Sequence, residues 1–140
     1  MSFNIRLDHI GIATPEISDN NFFKILGLTD LGQEEVPSEK VKVGFYNTEN
    51  NARIELLEPL GETGAIQKFM AKRGPGIHHI CFRVDGIDKL VEALKDHGVQ
   101  FINEEPKPGA HGCRVVFIHP KSTGGVLVEL SEKVISEKQQ

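Results

Sequence analysis

Two histidines recur at matched positions of the chain, each inside a short apolar segment. His9 lies within residues 7–14, Leu-Asp-His-Ile-Gly-Ile-Ala-Thr, and His79 lies within residues 77–84, Ile-His-His-Ile-Cys-Phe-Arg-Val. The offset between the two histidines is 79 − 9 = 70 residues. Imidazole is the commonest metal-binding side chain in proteins. A histidine repeated in two similar strands therefore indicates that two halves of the chain each deliver one ligand to a shared metal site.

Two glutamates recur in the same way, in the last apolar segment of each half. Glu55 lies in Arg-Ile-Glu-Leu and Glu129 in Leu-Val-Glu-Leu, and their offset is 129 − 55 = 74 residues. Because side chains alternate along a strand, the apolar neighbours face a core and each carboxylate faces the other side. Two imidazoles and two carboxylates suit a borderline or hard divalent ion such as Co²⁺, Mn²⁺, Ni²⁺ or Zn²⁺. The predicted ligands are His9, Glu55, His79 and Glu129.

Each of these residues also has a plainer interpretation. A histidine in a strand often serves only as a hydrogen-bonded structural residue, and a glutamate between apolar neighbours can belong to the exposed half of an amphipathic strand. The recurrence of both residue types at matched positions favours the metal site. His78 matches Asp8 in the repeat, not His9, so we predict that it has a structural role or supports the ligands.

The segments that carry these residues occur twice in the same order. The predicted fold class is α+β, with two tandem βαβββ modules that pair into a curved mixed sheet and form a metal-binding cup. Both modules are expected within a single domain of residues 1–140. The predicted elements of module 1, about residues 5–60, are a strand at 5–13, a helix from Pro15 to Gly27, and strands at 28–31, 41–46 and 52–57, with a loop at 33–40. A linker at 61–75 contains a predicted helix at 64–72.

Module 2, about residues 76–132, repeats this order. Its predicted elements are a strand at 77–84, a helix from Ile87 to Gly98, and strands at 99–102, 113–118 and 125–130, with a loop at 103–112. The polar segment 131–140 is expected to fray.

Composition indicates one ordinary globular core. The chain has 140 residues, of which 39% are hydrophobic and 26% charged, and its net charge of −4 argues against nucleic-acid binding. No apolar run approaches the roughly 20 residues of a membrane span, and no signal peptide is expected. The two cysteines, Cys81 and Cys113, are expected to be reduced core thiols of a cytoplasmic protein.

Longer segments make the chain resemble the vicinal oxygen chelate, or glyoxalase-like, superfamily and, within it, the methylmalonyl-CoA epimerase family. The resemblance extends from residue 7 to residue 130. Its most specific segments are Glu-Leu-Leu-Glu-Pro-Leu-Gly at 55–61, Gly-Ile-His-His-Ile at 76–80, Gly-Ala-His-Gly at 109–112 and the long stretch at 119–130. The resemblance implies an isomerase that interconverts (2R)- and (2S)-methylmalonyl-CoA. Such an epimerase removes the α-proton and returns it to the other face of a metal-stabilised enolate.

The resemblance also implies particular site residues. The ligand set of the family falls on His9, His79 and Glu129, and its fourth ligand, often glutamine, falls on Glu55. The glutamate adds a negative charge, which should tighten the ion and soften its Lewis acidity. A glutamate that some members use as a catalytic base falls on Val43. The family further implies Co²⁺ as the favoured ion, an acyl-CoA substrate, a homodimer, and a place in propionate metabolism, with no partner nucleic acid or membrane.

Inversion requires a proton-transferring group on each face of the α-carbon. Glu129 and Glu55 are the predicted pair, and weaker candidates are Lys42, Glu39 and His111. The loop at 109–112 is interpreted either as a flap over the substrate or as a plain glycine-rich turn. Four cations are interpreted either as partners of the CoA phosphates or as solubilising surface charges: Lys40, Lys107, Arg114 and Lys121.

Other activities remain open for the same cup. One alternative is another enzyme, either a glyoxalase-type isomerase or an Fe(II) dioxygenase using His9, His79 and Glu129 as a facial triad. A four-ligand set disfavours the dioxygenase, which needs open positions for oxygen. The other alternative is a non-catalytic protein that binds a small molecule such as an antibiotic. Such a protein has no need of metal ligands.

Overall fold

A computed structural model describes residues 3–134 and divides into two compact units. The first unit is residues 8–79, and the second combines residues 3–7 with the chain from residue 80 onward. The boundary at residue 80 lies inside a strand, four residues after the predicted start of module 2. The prediction of a single domain stays a prediction.

The unit of residues 8–79 is built on a mixed sheet. Its strands are β1 (Ile5–Ala13), β2 (Thr29–Val36), β3 (Val41–Asn47) and β4 (Arg53–Pro59), in the spatial order β2-β3-β4-β1. The pairs β2–β3 and β3–β4 are antiparallel, and β1 pairs with β4 in parallel. Two helices accompany them, α1 (Phe22–Leu26) and α2 (Ala65–Arg73).

Each face of this sheet has its own apolar cluster. On one face, α2 contributes Ile66 to a cluster with Ala13, Val43 and Leu57. On the other face, Leu56 is fully buried against Ile17 and Tyr46. Since alternate residues of β4 face opposite sides, burial of Leu56 on one face directs its neighbour Glu55 to the other, which is the face that α2 covers.

The second unit contains β5 from residue 80, α3 (Ile87–Asp96), β6 (Lys107–Pro108), β7 (Cys113–Ile118) and β8 (Leu127–Lys133). Strand β5 as a whole runs Gly76–Val84, and the order of strands is β5-β8-β7-β6. One stripe of α3, formed by Ile87, Leu90 and Val91, packs on Val116 and Leu130 to make the core of this unit.

The α+β class, the two strand-rich halves and the mixed pairing of strands are confirmed. The predicted helix from Pro15 is wrong: residues 17–19 form a turn of 3-10 helix, and α1 starts only at Phe22. Asp19 at the end of this turn and the following Asn20 and Asn21 are residue types whose side chains compete for backbone groups, which interrupts a helix.

Two strand predictions also need correction. The first half of the predicted loop at 33–40, residues 33–36, belongs to β2, an almost fully exposed strand that pairs with β3. An edge strand of this kind buries neither face, so it shows no hydrophobic alternation. The predicted strand at 99–102 is reduced to one bridge between Phe101 and Ile118, and β6 lies inside the predicted loop instead.

Two other expectations concern burial and the membrane. Cys81 and Cys113 are both buried. Among the described residues, no helix is long and apolar enough to cross a membrane. Most of the polar tail, residues 135–140, lies outside the described residues, whereas 131–133 continue β8.

Candidate metal centre

The two predicted histidine ligands meet in the unit of residues 8–79. His9 on β1 and His79 on β5 are only 8% and 9% exposed, and their Nε2 atoms lie 3.0 Å apart. Their rings meet edge to face, with the ring centroids 5.1 Å apart. Two imidazole nitrogens that bind one ion at about 2.1 Å and at a right angle have roughly this separation. The pair therefore fits a shared divalent ion.

Gly11 makes room for the His79 ring. A Cβ atom placed on Gly11 would lie 2.4 Å from His79 Cε1 and 2.7 Å from its Nδ1, a separation that real Cβ atoms do not adopt. Glycine inside a strand commonly marks such a close approach. This requirement was missed in the sequence, where Gly11 was simply one residue of the first strand.

The surroundings of His79 keep it neutral. Burial lowers the pKa of His79 to about 3, and the nearby His9 and His78 act in the same direction. A neutral imidazole has a lone pair to offer a metal ion. His79 therefore remains a competent ligand throughout the neutral pH range.

His78 supports His79 from the side. Its Nδ1 atom lies 3.0 Å from His79 Nδ1, so one ring donates a proton and the other accepts it. The His78 ring also meets Phe69 of α2 edge to face, at a centroid distance of 5.0 Å. When His79 presents Nε2 to an ion, its proton resides on Nδ1 and His78 accepts it. This contact agrees with the supporting role predicted for His78.

A charged cluster adjoins the other nitrogen of His9. His9 Nδ1 lies 2.8 Å from Asp8 Oδ2 and 3.4 Å from Glu55 Oε2. Because a carboxylate only accepts hydrogen bonds, Nδ1 of His9 carries a proton and donates it to Asp8 Oδ2.

Arg53 joins the two carboxylates of this cluster. Its Nε and Nη2 atoms donate to Glu55 Oε2 at 3.1 and 3.0 Å, and Nη2 also donates to Asp8 Oδ2 at 2.9 Å. Desolvation opposes the charge on Arg53, but Glu55 and Asp8 outweigh it and raise the pKa of the guanidinium. The parallel register explains the arrangement, since His9 pairs with Arg53 and Gly11 pairs with Glu55.

Sequence reasoning missed the parts played by Arg53 and Asp8. The available signal for Arg53 was its position two residues before Glu55, which places both side chains on one face of the strand. Alternation along the first strand predicts that Asp8 lies on the opposite face from its neighbour His9. At the β1 position next to His9, however, its carboxylate reaches the His9 ring.

For Glu129 and Val43, the packing of neighbouring residues shows which face of its strand each side chain occupies. Glu129 is a half-buried residue of β8 and pairs with Phe117, while its neighbour Leu130 joins the core beneath α3. Glu129 therefore lies on the face of β8 away from α3, as predicted. Val43 is buried on the same face as Glu55, in the cluster with Leu57.

The weaker base candidates have other surroundings. Lys42 lies next to Val43 on β3 and so faces the side opposite Glu55. Glu39 is exposed in a turn of 3-10 helix. His111 adopts a left-handed backbone conformation, with φ of 57°. Among the predicted phosphate-binding cations, Arg114 already pairs with Asp88 and Glu132.

The glycine-rich loop before β7 has a structural need for its glycines. A Cβ atom on Gly109 would lie 2.7 Å from Val115 Cγ1, and Gly112 has φ of 71°. The backbone N–H of Gly109 donates to Cys113 O at 2.8 Å. These contacts describe a tight turn, and the flap remains a prediction.

The fold and the paired histidines together define a class of protein. The chain belongs to the Glyoxalase/Bleomycin resistance protein/Dioxygenase superfamily, which matches residues 8–117. The resemblance seen in the sequence is thereby confirmed.

The relatives are more specific. The chain is 42% identical over 130 residues to the mitochondrial methylmalonyl-CoA epimerase of Homo sapiens, covering 91% of this chain and 73% of the relative. It is 43% identical over 129 residues to the uncharacterized protein YqjC of Bacillus subtilis, covering 91% of each. A solved structure of methylmalonyl-CoA epimerase in complex with methylmalonyl-CoA and NH4+ superposes with a TM-score of 0.80 at 33% identity, covering 92% of this chain and 94% of that one. Epimerases are isomerases, so the relatives with a named activity agree with the predicted enzyme class.

Proposed function

We propose that this protein is a metal-dependent epimerase that interconverts (2R)- and (2S)-methylmalonyl-CoA. The observation that carries the proposal is the buried pair of histidines whose Nε2 atoms lie 3.0 Å apart, in a chain whose relatives are epimerases. A buried imidazole pair with lone pairs directed at one point suits an ion far better than a purely apolar ligand.

The proposed ligands are His9, His79, Glu55 and Glu129, and the proposed ion is divalent, with Co²⁺ favoured. His9 and His79 each present Nε2. Glu55 has one oxygen engaged by Arg53, which leaves its other oxygen to act as donor. Glu129 is included because it occupies in module 2 the position that Glu55 occupies in module 1.

A bound divalent ion supplies a Lewis acid for the negative charge that develops on the thioester oxygen as the α-proton leaves. The chain supplies proton transfer and orientation. Glu129 is proposed to take up the proton on one face of the α-carbon, and Glu55 to serve the other face. Because Val43 occupies the position of the base that the family resemblance implies, β3 supplies no carboxylate there, and Glu55 is proposed as the second base.

The proposal extends to the partners of the protein. The substrate is an acyl-CoA, the assembly is a homodimer, and the site of action is the cytoplasm in propionate metabolism. Sedimentation equilibrium of the purified protein tests the assembly, and a monomeric mass would contradict the dimer.

The activity is tested with Co²⁺-loaded protein and methylmalonyl-CoA in D₂O. Wild-type protein should invert both enantiomers and exchange the α-proton for deuterium. Glu129→Gln keeps an oxygen donor but loses basicity, so it should hold Co²⁺ while inversion falls by a factor on the order of 10² or more. Glu105→Gln, at an exposed loop position, is the matched control.

The deuterium label separates the two faces. With one base removed, exchange should persist for one enantiomer while inversion stops. If Glu129→Gln inverts both enantiomers at the wild-type rate, Glu129 is not a base. If wild-type protein neither inverts nor exchanges, the proposed activity is wrong.

A further inference from the structure

We propose that Arg53 is a positioning residue that holds the metal-binding histidine and glutamate of the first module in their working orientation. This inference rests on the proposed function and deepens it. Arg53 acts on His9 through Asp8 and on Glu55 directly. It touches neither substrate nor ion in this scheme.

The first argument is the hydrogen-bond geometry. One guanidinium donates two bonds to Glu55 Oε2 and one to Asp8 Oδ2, at 2.9–3.1 Å. Its planar fork fixes the directions of these bonds, as a lysine ammonium cannot. Because both carboxylates are tied to one rigid group, neither can rotate independently.

The second argument is the tautomer of His9. Asp8 Oδ2, held by Arg53, accepts the Nδ1 proton of His9 at 2.8 Å. A carboxylate behind a ligand histidine orients the ring and keeps the lone pair on the nitrogen that binds the ion. Without Arg53, Asp8 loses the bond that aims it at the ring.

The third argument is charge. The side chains of Asp8 and Glu55 are only 12% and 10% exposed, and they lie beside the same histidine. Two adjacent, poorly hydrated carboxylates repel each other. Arg53 offsets one of the two negative charges, so an ion bound by His9 and Glu55 meets one net negative charge from this cluster. The extra charge of Glu55, relative to an uncharged amide ligand, is thereby compensated.

The test compares Arg53→Met, Arg53→Lys and the control Arg73→Met, an exposed arginine on α2 of the same unit. Two quantities are measured: Co²⁺ affinity by calorimetry, and the tautomer of His9 by imidazole ¹⁵N NMR of metal-free protein. Arg53→Met should mix the tautomers and weaken Co²⁺ binding about 10- to 100-fold. Arg53→Lys should have a tautomer ratio and a Co²⁺ affinity between those of Arg53→Met and wild type. Both quantities in Arg73→Met should match wild type.

A double-variant cycle tests whether Arg53 acts through Asp8. Asp8→Asn should mix the His9 tautomers by itself, and adding Arg53→Met to Asp8→Asn should change the tautomer ratio little further. A purely structural arginine would lower stability without altering the tautomer. The cycle thus separates positioning from packing.

Several outcomes would overturn the inference. One is a folded Arg53→Met protein with wild-type tautomer and Co²⁺ affinity. If Arg53→Met does not fold, a wild-type tautomer and affinity in Arg53→Lys overturns it equally. Wild-type protein that binds Co²⁺ without epimerising methylmalonyl-CoA contradicts only the proposed activity. Failure of wild-type protein to bind Co²⁺ contradicts both.

Discussion

At the scale of single residues, the centre depends on which nitrogen of each histidine carries the proton. Asp8 accepts a hydrogen bond from Nδ1 of His9, and His78 lies against Nδ1 of His79, so both Nε2 atoms can face one ion. Two neighbouring side chains thus determine how two ligands present themselves. Of the two adjacent histidines of β5, His79 is therefore the proposed ligand, and His78 supports it.

These different roles of His78 and His79 predict different effects for two alanine variants. His79→Ala removes a ligand and should abolish tight Co²⁺ binding and epimerisation. His78→Ala removes only the neighbour of that ligand and should retain bound Co²⁺. Metal content after gel filtration, measured by mass spectrometry, distinguishes them. Equal loss of metal in the two variants would show that His78 is itself a ligand.

The low pKa of His79 predicts a dependence of stability on pH in metal-free protein. Its pKa falls from an ordinary 6.5 to about 3 in the folded state, chiefly because of burial. The unfolded chain therefore binds the proton first, and stability present above pH 6.5 is lost as the pH falls toward 3. By pH 5 this loss should reach about 2 kcal/mol.

Urea unfolding of metal-free wild type and His79→Gln between pH 7 and pH 5 checks this expectation. The variant should lose less stability on acidification than wild type. His78 contacts His79 and its pKa is also lowered by burial, so the variant keeps part of the pH dependence. Identical pH profiles would mean that the folded protein protonates His79 at an ordinary pH.

At the scale of elements, close packing of strands brings the histidines together. Strand β1 has glycine where the His79 ring crosses it, and no larger residue fits there. Strand β3, which is separated from β1 by β4, has a buried glycine as well, Gly44, whose added Cβ would meet Ile17 Cγ2 at 3.2 Å. The first glycine faces the His79 ring of the proposed metal centre, and the second faces the cluster of Ile17, Tyr46 and Leu56.

Alanine at these two glycines should therefore have different consequences. Gly11→Ala should displace the His79 ring and weaken Co²⁺ binding at least about 10-fold, the scale of lost support for a ligand. Gly44→Ala should cost about 1–3 kcal/mol of overpacking and leave metal affinity unchanged. Calorimetric titration and thermal unfolding of both variants provide the comparison. Unchanged Co²⁺ affinity in a folded Gly11→Ala protein would contradict the proposed role of this close approach.

At the scale of the whole molecule, the proposed ligands are far apart in the chain, at residues 9, 55, 79 and 129. The unfolded chain cannot present them together, so an ion should bind the folded state preferentially and stabilise it. At a free Co²⁺ concentration of 100 times Kd, the gain is about 2.7 kcal/mol, or roughly 10 °C in Tm.

Differential scanning calorimetry with and without Co²⁺ measures this shift. A chelator should reverse it, and His79→Ala should show little of it. A Tm that rises equally in wild type and His79→Ala would place the stabilising ion elsewhere in the molecule.

The sequence by itself determined the features that follow from local patterns and from the repeat. Alternation located β1, β3 and β7, and a helical stripe located α3 from Ile87. The matched positions of the repeat predicted that His9 and His79 act as a pair. The face of each glutamate followed from its apolar neighbours, such as Leu56 and Leu130, because strand periodicity alone fixes that choice.

The tertiary structure decided the contacts that depend on register between distant segments. Arg53 meets Asp8 across 45 positions of sequence only because β1 and β4 pair in parallel with His9 opposite Arg53. The same pairing sets Gly11 opposite Glu55, and its need for glycine comes from the ring of His79, a residue of another strand. The exposed second half of β2, residues 33–36, also escaped prediction, since its structure comes from hydrogen bonds to β3 and not from burial. Local periodicity carries no information about which strand a residue will face, so these partners appear only when the chain is folded.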